Sequence, residues 1–148
     1  MWQRKQTVFL ALALIVLLLA VYFPIFGISP TSGMGDEKLL FNIGFRGGSE
    51  LVSWLSVLLV LLAGSFILSL VAIFDFKNMK RQMKLIGGAE CAIIIWYIVV
   101  AFEVFADYSN IHFQLGIVLP VVALILQILA GRGVKHDENL LKSADRIR

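Results

Sequence analysis

Two glutamates, Glu90 and Glu103, interrupt a long apolar stretch of the chain and are its strongest candidates for chemistry. A carboxyl group at the centre of a membrane helix costs roughly 2.5–3.5 kcal/mol on insertion scales, so such residues usually face a protein interior and mark a functional site. Glu90 lies close to the start of the apolar stretch and Glu103 close to its end, where a side chain can reach water. Their depth therefore weakens the functional interpretation of both residues.

Gln127 and Ser69 are predicted to lie at the same depth as Glu90. We expect Glu90 to be neutral, or bonded to Gln127, Ser69 or a basic neighbour, and pairing of either glutamate with a partner subunit is a further alternative. Glu90 and Glu103 would stand about 20 Å apart along one helix and point to nearly opposite faces. A proton relay needs partners within hydrogen-bond reach, so a proton or ion path through one subunit is disfavoured.

The run His136-Asp137-Glu138 contains metal-ligand residue types but does not predict a metal site. Adjacent residues of a helix point in different directions and cannot chelate one ion together. Cys91 is the single cysteine, and the chain has no Gly-rich phosphate loop, nucleophile elbow or cysteine pair. We therefore expect no metal, no cofactor and no catalytic activity.

Four apolar runs position these residues, and each is about the 20 residues that a helix needs to cross a bilayer. The runs are residues 7–26, 51–74, 85–106 and 111–130. They predict an all-α membrane protein, a single domain over residues 1–148 with four transmembrane helices in an antiparallel bundle. Pro120 lies in the middle of the fourth run and predicts a kink near Gly116, because proline removes the hydrogen bond to the carbonyl four residues earlier.

Lys and Arg are distributed unevenly among the segments that join the runs. Of the 13 basic residues, only Lys38 and Arg46 lie in the first and third connections; the others lie near the N-terminus, in the second connection or in the tail. The positive-inside rule then predicts that both termini are cytoplasmic. The net charge of +3 follows from this topology and from contact with anionic headgroups. Membrane lipids are therefore expected partners, and nucleic acid is not.

Two segments outside the runs are periodic. In the first extracytoplasmic loop Leu39, Phe41, Ile43 and Phe45 alternate with other residues, and this period of two predicts a short β element. The second extracytoplasmic loop is expected only to reverse the chain.

The tail, residues 134–148, is the other periodic segment. It places Leu140, Leu141, Ala144 and Ile147 within an arc of about 120° of a helix. This pattern predicts a short amphipathic helix that lies on the inner leaflet or against a cytoplasmic partner.

Both ends of the chain resemble those of a known family. The opening, Met1-Trp2-Gln3-Arg4-Lys5-Gln6-Thr7, is similar to the start of that family's proteins. The ending is similar too: Arg132-Gly133, the acidic pair Asp137-Glu138, and Ser143-Ala144-Asp145-Arg146. The family comprises small four-helix inner-membrane proteins of Bacteroidetes and is catalogued as a domain of unknown function (DUF4293). The resemblance implies a bacterial inner membrane and supplies no activity, substrate or cofactor.

The predicted function is that of a non-catalytic accessory or assembly subunit, which binds a protein partner or a second copy of itself through its cytoplasmic face. Two observations support this function: the chain ends carry charges of both signs, and the membrane core has no continuous polar path. The candidate partner-binding residues are Arg4, Lys5, Arg132, Lys135, Asp137, Glu138, Asp145 and Arg146. Two alternatives are a small transporter or channel that uses Glu90 and Gln127, and a lipid-binding protein that uses its outer loop.

Overall fold

The computed structural model describes residues 5–29, 38–43, 45–46, 56–75, 78–105 and 111–145. Its elements in chain order are α1 (Lys5–Tyr22), β1 (Phe26–Ile28), β2 (Lys38–Leu40), β3 (Phe45–Arg46), α2 (Ser56–Phe74), α3 (Met79–Phe105), β4 (Ile111–Phe113) and α4 (Leu115–Asp145). The described part of the protein is thus mainly helical, with one small sheet.

Three of the helices, α2, α3 and α4, are long and apolar enough to cross a membrane. Large apolar side chains are exposed on them, including Val60, Ile98, Val118 and Ile125, as expected where lipid replaces water around a helix. α1 is a shorter apolar helix of 18 residues. The predicted long apolar helices are confirmed for these three, and their crossing of a membrane, like that of α1, stays a prediction.

α1 lies beside α4 and runs in the opposite direction. At one end Gln6 Nε2 donates a hydrogen bond to Asp137 Oδ2, and at the other the Gly116 N–H donates to Pro24 O over 2.9 Å. We call the first the terminal end, because α1 begins and α4 ends there, and the second the sheet end. A Cβ atom on Gly116 would overlap the carbonyl oxygens of Phe23 and Pro24, so this close approach requires glycine.

α2 and α3 are joined at the terminal end by a short connection. Gln82 Nε2, near the start of α3, donates to Ala72 O near the end of α2 over 3.0 Å, which serves one of the carbonyls that a helix end leaves unpaired. Arg81 Nε lies 3.0 Å from Asp75 Oδ2. That oxygen has no partner of hydrogen-bond geometry, so this contact is a charge pair only. Together these side chains hold the two helix ends side by side.

Four short antiparallel strands close the sheet end in the order β3-β2-β1-β4. Phe26 in the central strand β1 is paired with Leu40 on one side and with Phe113 on the other. Phe26 and Leu40 are buried and pack with Leu17 of α1 and Trp96 of α3 in the larger hydrophobic core. The sheet therefore packs against the helices and completes their core.

The sheet confirms the predicted β element and also corrects it. The single strand expected over residues 39–45 is two strands, β2 and β3, because the chain bends at Asn42 and Ile43. β1 begins at Phe26, the last residue of the predicted first run, and continues into the loop to Ile28, and β4 comes from residues 111–113, placed at the start of the fourth run. Short apolar segments fit a strand and a helix end equally well, so periodicity could not separate them.

The terminal end also differs from the sequence prediction. α4 continues without a break to Asp145, well past the predicted end of the fourth run at residue 130. The predicted amphipathic tail is therefore not a separate helix, although residues 146–148 lie outside the described part of the chain. The 31 residues of α4 span about 46 Å at 1.5 Å per residue. A bilayer core is about 30 Å thick, so a helix of this length that crossed it would extend beyond it; we call residues 135–145 the projecting part of α4, or the α4 projection.

Candidate functional site

Gln127 of α4 is a fully buried polar residue between the helices. Its Nε2 donates to Ser69 Oγ over 2.9 Å and to Ser65 Oγ over 3.2 Å, which ties α4 to α2. Both serines are fully buried as well. The Gln127 Oε1 atom is buried without a hydrogen-bond partner. The predicted common depth of Gln127 and Ser69 thus corresponds to a direct contact, which includes Ser65 in addition.

Glu90 lies apart from this contact. Neither Gln127 nor Ser69, the partners expected for Glu90, forms a hydrogen bond with it. Glu90 also has no hydrogen bond or ion pair with any other residue that the structure describes. Two residues that the transporter alternative combines are therefore in different surroundings: Gln127 inside the protein, and Glu90 on a partly exposed face of α3.

Glu90 faces a groove between α3 and α4 at the terminal end, with a volume of about 260 Å³. We call it the α3–α4 groove; its lining residues are apolar (Met83, Ile86, Ile128), glycine (Gly87, Gly131) or charged (Glu90, Arg132, Lys135). A Cβ atom on Gly131 would lie 3.6 Å from Ile86 Cγ2 and 3.9 Å from Glu90 Oε1. The glycine thus keeps the groove open beside the carboxylate.

The charges of the α3–α4 groove have no partners within the described part of the protein. Arg132 and Lys135 are exposed, and the ion pairs found between described residues include neither of them, nor Glu90. One carboxylate and two cations therefore face a shared, mostly apolar space. Sequence reasoning placed Glu90 in the membrane and Arg132 and Lys135 at a binding surface, but it did not bring the three together.

The acidic pair of the predicted partner-binding set is engaged within the protein. Asp137 accepts the hydrogen bond from Gln6. Glu138 Oε1 lies 2.8 Å from Lys142 Nζ, one helical turn further along α4. The hydrogen bond from Lys142 holds the pKa of the Glu138 carboxyl below its ordinary value. These acidic groups therefore stabilise the terminal end, and less of their charge is free for a partner.

The other members of that set are described only in part. Arg4 and Arg146 lie outside the described residues, and nothing is specified for the side chains of Lys5 and Asp145, although both residues are helical. Glu103 is partly buried near the sheet end of α3, and it has no hydrogen bond or ion pair with another described residue. Among the described residues, no group of three or more His, Cys, Asp or Glu could hold a metal ion.

Asn42 is a fully buried polar residue that sequence reasoning missed. It lies in the bend after β2 and is fully buried against α1 and α3. Its Nδ2 donates to Ala20 O over 2.8 Å, and its Oδ1 accepts from Trp96 Nε1 over 2.9 Å. The residue four positions after Ala20 is Pro24, which has no N–H to offer that carbonyl. Asn42 supplies the missing donor, and the spacing of Ala20 and Pro24 was the available signal.

Tyr97 forms a second link, between α3 and α4. Its hydroxyl donates to Ile117 O over 2.5 Å, and its ring meets the Trp96 ring edge to face, with centroids 4.9 Å apart. Pro120 lies close to this carbonyl. Because α4 begins at Leu115, Pro120 lies near the start of this helix and not at its middle, and the kink near Gly116 stays a prediction. Little helix precedes it that could be bent.

Comparison with known proteins places this arrangement in a family. The model of a family described as "Domain of unknown function (DUF4293)" matches residues 2–147, and no curated protein matches the chain. The family match includes the four helices, the strands, the α3–α4 groove and the projecting part of α4. The chain belongs to the DUF4293 family.

Proposed function

We propose that this membrane protein is a non-catalytic accessory or assembly subunit that binds a partner protein through the projecting part of α4. One observation carries the proposal: α4 continues as a helix from its apolar part to Asp145. The projection exposes Lys135, His136, Leu140 and Lys142. Leu140 is 56% exposed, and a large apolar side chain among cations suits an apolar pocket with an acidic rim.

The contacts inside the protein agree better with a structural role than with transport. Gln127 is held by two serines, and Tyr97 and Asn42 each bond to a helix carbonyl. These polar groups join one element to the next and do not form a chain from one end of the protein to the other. The transporter alternative would need a mobile polar path, and Glu90 and Gln127 share no contact that could begin one.

The proposal includes an orientation, with the terminal end in the cytoplasm of a bacterial cell. Arg81 and Lys84 near the start of α3 are exposed at that end, as are Arg132 and Lys135 of α4. Cations gathered at one end of the helices support a cytoplasmic location for that end under the positive-inside rule. They also provide a surface that attracts an acidic partner.

A pull-down of the tagged full-length protein in mild detergent tests this function, with quantitative mass spectrometry of the proteins recovered. We expect one membrane or membrane-associated protein at near-stoichiometric amount. Leu140→Glu should lower its recovery about tenfold, equal to about 1.4 kcal/mol of binding free energy. Phe113→Ser is the matched control, because Phe113 is equally exposed but lies at the sheet end.

Two results would overturn the proposal. Equal recovery from the Leu140→Glu and wild-type proteins would exclude the projection as the binding surface. If a photoreactive residue at position 140 cross-links to a second copy of the chain, the projection mediates a homo-oligomer and does not bind a different protein. Both outcomes can be distinguished from loss of folding, since Leu140 is 56% exposed and does not belong to the buried core.

A further inference from the structure

The α3–α4 groove is a second place on this protein that is suited to a ligand. Its carboxylate and its two cations have no partner in the described part of the chain. An unpaired charge next to lipid is unfavourable, because the low dielectric removes most of its solvation. A ligand that carries both signs of charge could pair with the carboxylate and with the cations at the same time.

The position of the groove indicates where such a ligand comes from. Arg132 follows directly after the apolar part of α4, and Ile128 lies one turn before it. The neighbouring side chains Cys91, Ile94 and Leu129 are exposed, as are other apolar side chains that would face lipid. The groove therefore lies where the apolar helix surface meets the charged end, which is the depth of phospholipid headgroups.

The charges define the chemistry of the headgroup. Arg and Lys bind phosphate through charge-assisted hydrogen bonds, and a carboxylate accepts hydrogen bonds from a primary ammonium group. An anionic headgroup without an amine would be repelled by Glu90. A quaternary ammonium has no N–H to donate to it. The volume of about 260 Å³ equals that of about nine water molecules at roughly 30 Å³ each, enough for a phosphate and a two-carbon amine.

We propose that the α3–α4 groove binds the headgroup of an aminophospholipid of the phosphatidylethanolamine type. Glu90 receives the ammonium group, Arg132 and Lys135 receive the phosphate, and Gly131 leaves the space between helices that the headgroup occupies. The groove shares Lys135 with the partner surface of the α4 projection but does not include Leu140. Leu140→Glu should therefore leave lipid binding unchanged.

Native mass spectrometry of the full-length protein tests the proposal, with phosphatidylethanolamine, phosphatidylcholine and phosphatidylglycerol of equal chain length titrated into the detergent. We expect phosphatidylethanolamine to bind at least about tenfold more tightly than the other two lipids. Glu90→Gln should remove this preference. Replacing Arg132 and Lys135 by Gln should weaken the binding of all three lipids, since each lipid contains a phosphate. Glu103→Gln is the matched control, because it changes the other glutamate of α3 and should have no effect.

The glycine supplies a test that changes no charge. A methyl group at position 131 would be in ordinary van der Waals contact with Ile86 and Glu90, so Gly131→Ala should fold and bind lipid slightly less well. Gly131→Leu should fill the groove and lower the affinity for phosphatidylethanolamine about tenfold or more. If Gly131→Leu does not fold, Glu90→Gln and Gly131→Ala still decide the question.

Several outcomes would overturn the proposal. Equal affinity for phosphatidylethanolamine and phosphatidylcholine would exclude recognition of the amine, and a preference for phosphatidylglycerol would show that Glu90 does not take part. Soluble phosphoethanolamine that binds as tightly as the lipid would show that the ligand is not a membrane component. Weak competition by phosphoethanolamine at millimolar concentration, in contrast, is the result expected if the acyl chains contribute.

Discussion

Trp96 Nε1 on α3 donates a hydrogen bond over 2.9 Å to Asn42 Oδ1 in the bend after β2. The same asparagine donates to Ala20 O on α1, so one loop side chain joins two helices that are not adjacent in the sequence. All three groups are buried. Since each would be left unpaired without Asn42, this residue fixes the sheet to the helices.

Asn42→Ala should therefore destabilise the protein more than its small change in volume suggests. It leaves the Trp96 indole N–H and the Ala20 carbonyl buried without partners, and each unpaired group costs about 1–3 kcal/mol. We expect a loss of about 2–4 kcal/mol of unfolding free energy, measured by denaturant titration in detergent micelles with the tryptophan fluorescence as a probe. Loss of the hydrogen bond should also shift the emission of Trp96.

Ile43→Ser is the control for this experiment, because Ile43 is the next residue in the same bend and is 59% exposed. Its substitution should change the stability by less than about 0.5 kcal/mol. Similar losses for the two variants would mean that the bend itself, and not the hydrogen bonds of Asn42, determines the stability.

The contacts of Asn42 also show what the sequence could and could not predict. Apolar runs of about 20 residues were sufficient for α2, α3 and α4, because length and composition determine membrane helices. The boundary between α1 and β1 was not predictable, since Phe26 continues an apolar run. That Gln127 and Ser69 lie at the same depth was predictable, because depth follows from residue position and the rise per residue of a helix. That Glu90 and Arg132 line one groove depends on the rotation of α3 against α4, and no local pattern encodes that rotation.

Substitutions of Gln127 and of the two serines should change the free energy of unfolding in a strongly non-additive way. Replacing Ser65 and Ser69 together by Ala leaves the buried Gln127 amide N–H groups unpaired, with an expected cost of about 1–2 kcal/mol. Gln127→Leu in that background removes the unpaired group and should recover most of the loss. The measurement is the free energy of unfolding in a double-mutant cycle. Additive losses would show that the hydrogen bonds contribute nothing.

Replacement of Gly116 and of Gly64 by alanine should have opposite effects on the stability of the protein. Gly116→Ala places a Cβ atom against the carbonyl oxygens of Phe23 and Pro24, and backbone atoms cannot move aside as a flexible side chain can. We expect a loss of at least about 2 kcal/mol, together with poor recovery of folded protein. Gly64→Ala meets no atom within 4 Å, so it should be neutral or stabilise α2 by up to about 1 kcal/mol.

The comparison of Gly116→Ala with Gly64→Ala separates close helix packing from helix propensity. Neither substitution is expected to lower the intrinsic preference for helix, since alanine exceeds glycine in helix propensity. A stable Gly116→Ala protein would show that the start of α4 does not approach the end of α1 as closely as the structure indicates. Thermal unfolding in the same detergent, followed by circular dichroism, is sufficient for this test.

The proposed crossing of α4 predicts opposite labelling of its two ends. In a Cys91→Ser background, Lys142→Cys lies on the projection and Phe113→Cys lies in β4 at the sheet end, and both original side chains are exposed. In intact cells an impermeant maleimide should label only Phe113→Cys, and lysis should expose Lys142→Cys. In the wild-type protein, Cys91 is exposed on α3; if that surface faces lipid as proposed, the thiol should stay unlabelled before and after lysis, because maleimide reacts with a thiolate in water. Labelling of both positions before lysis would mean that α4 does not cross the membrane, and labelling of Lys142→Cys alone would reverse the proposed orientation.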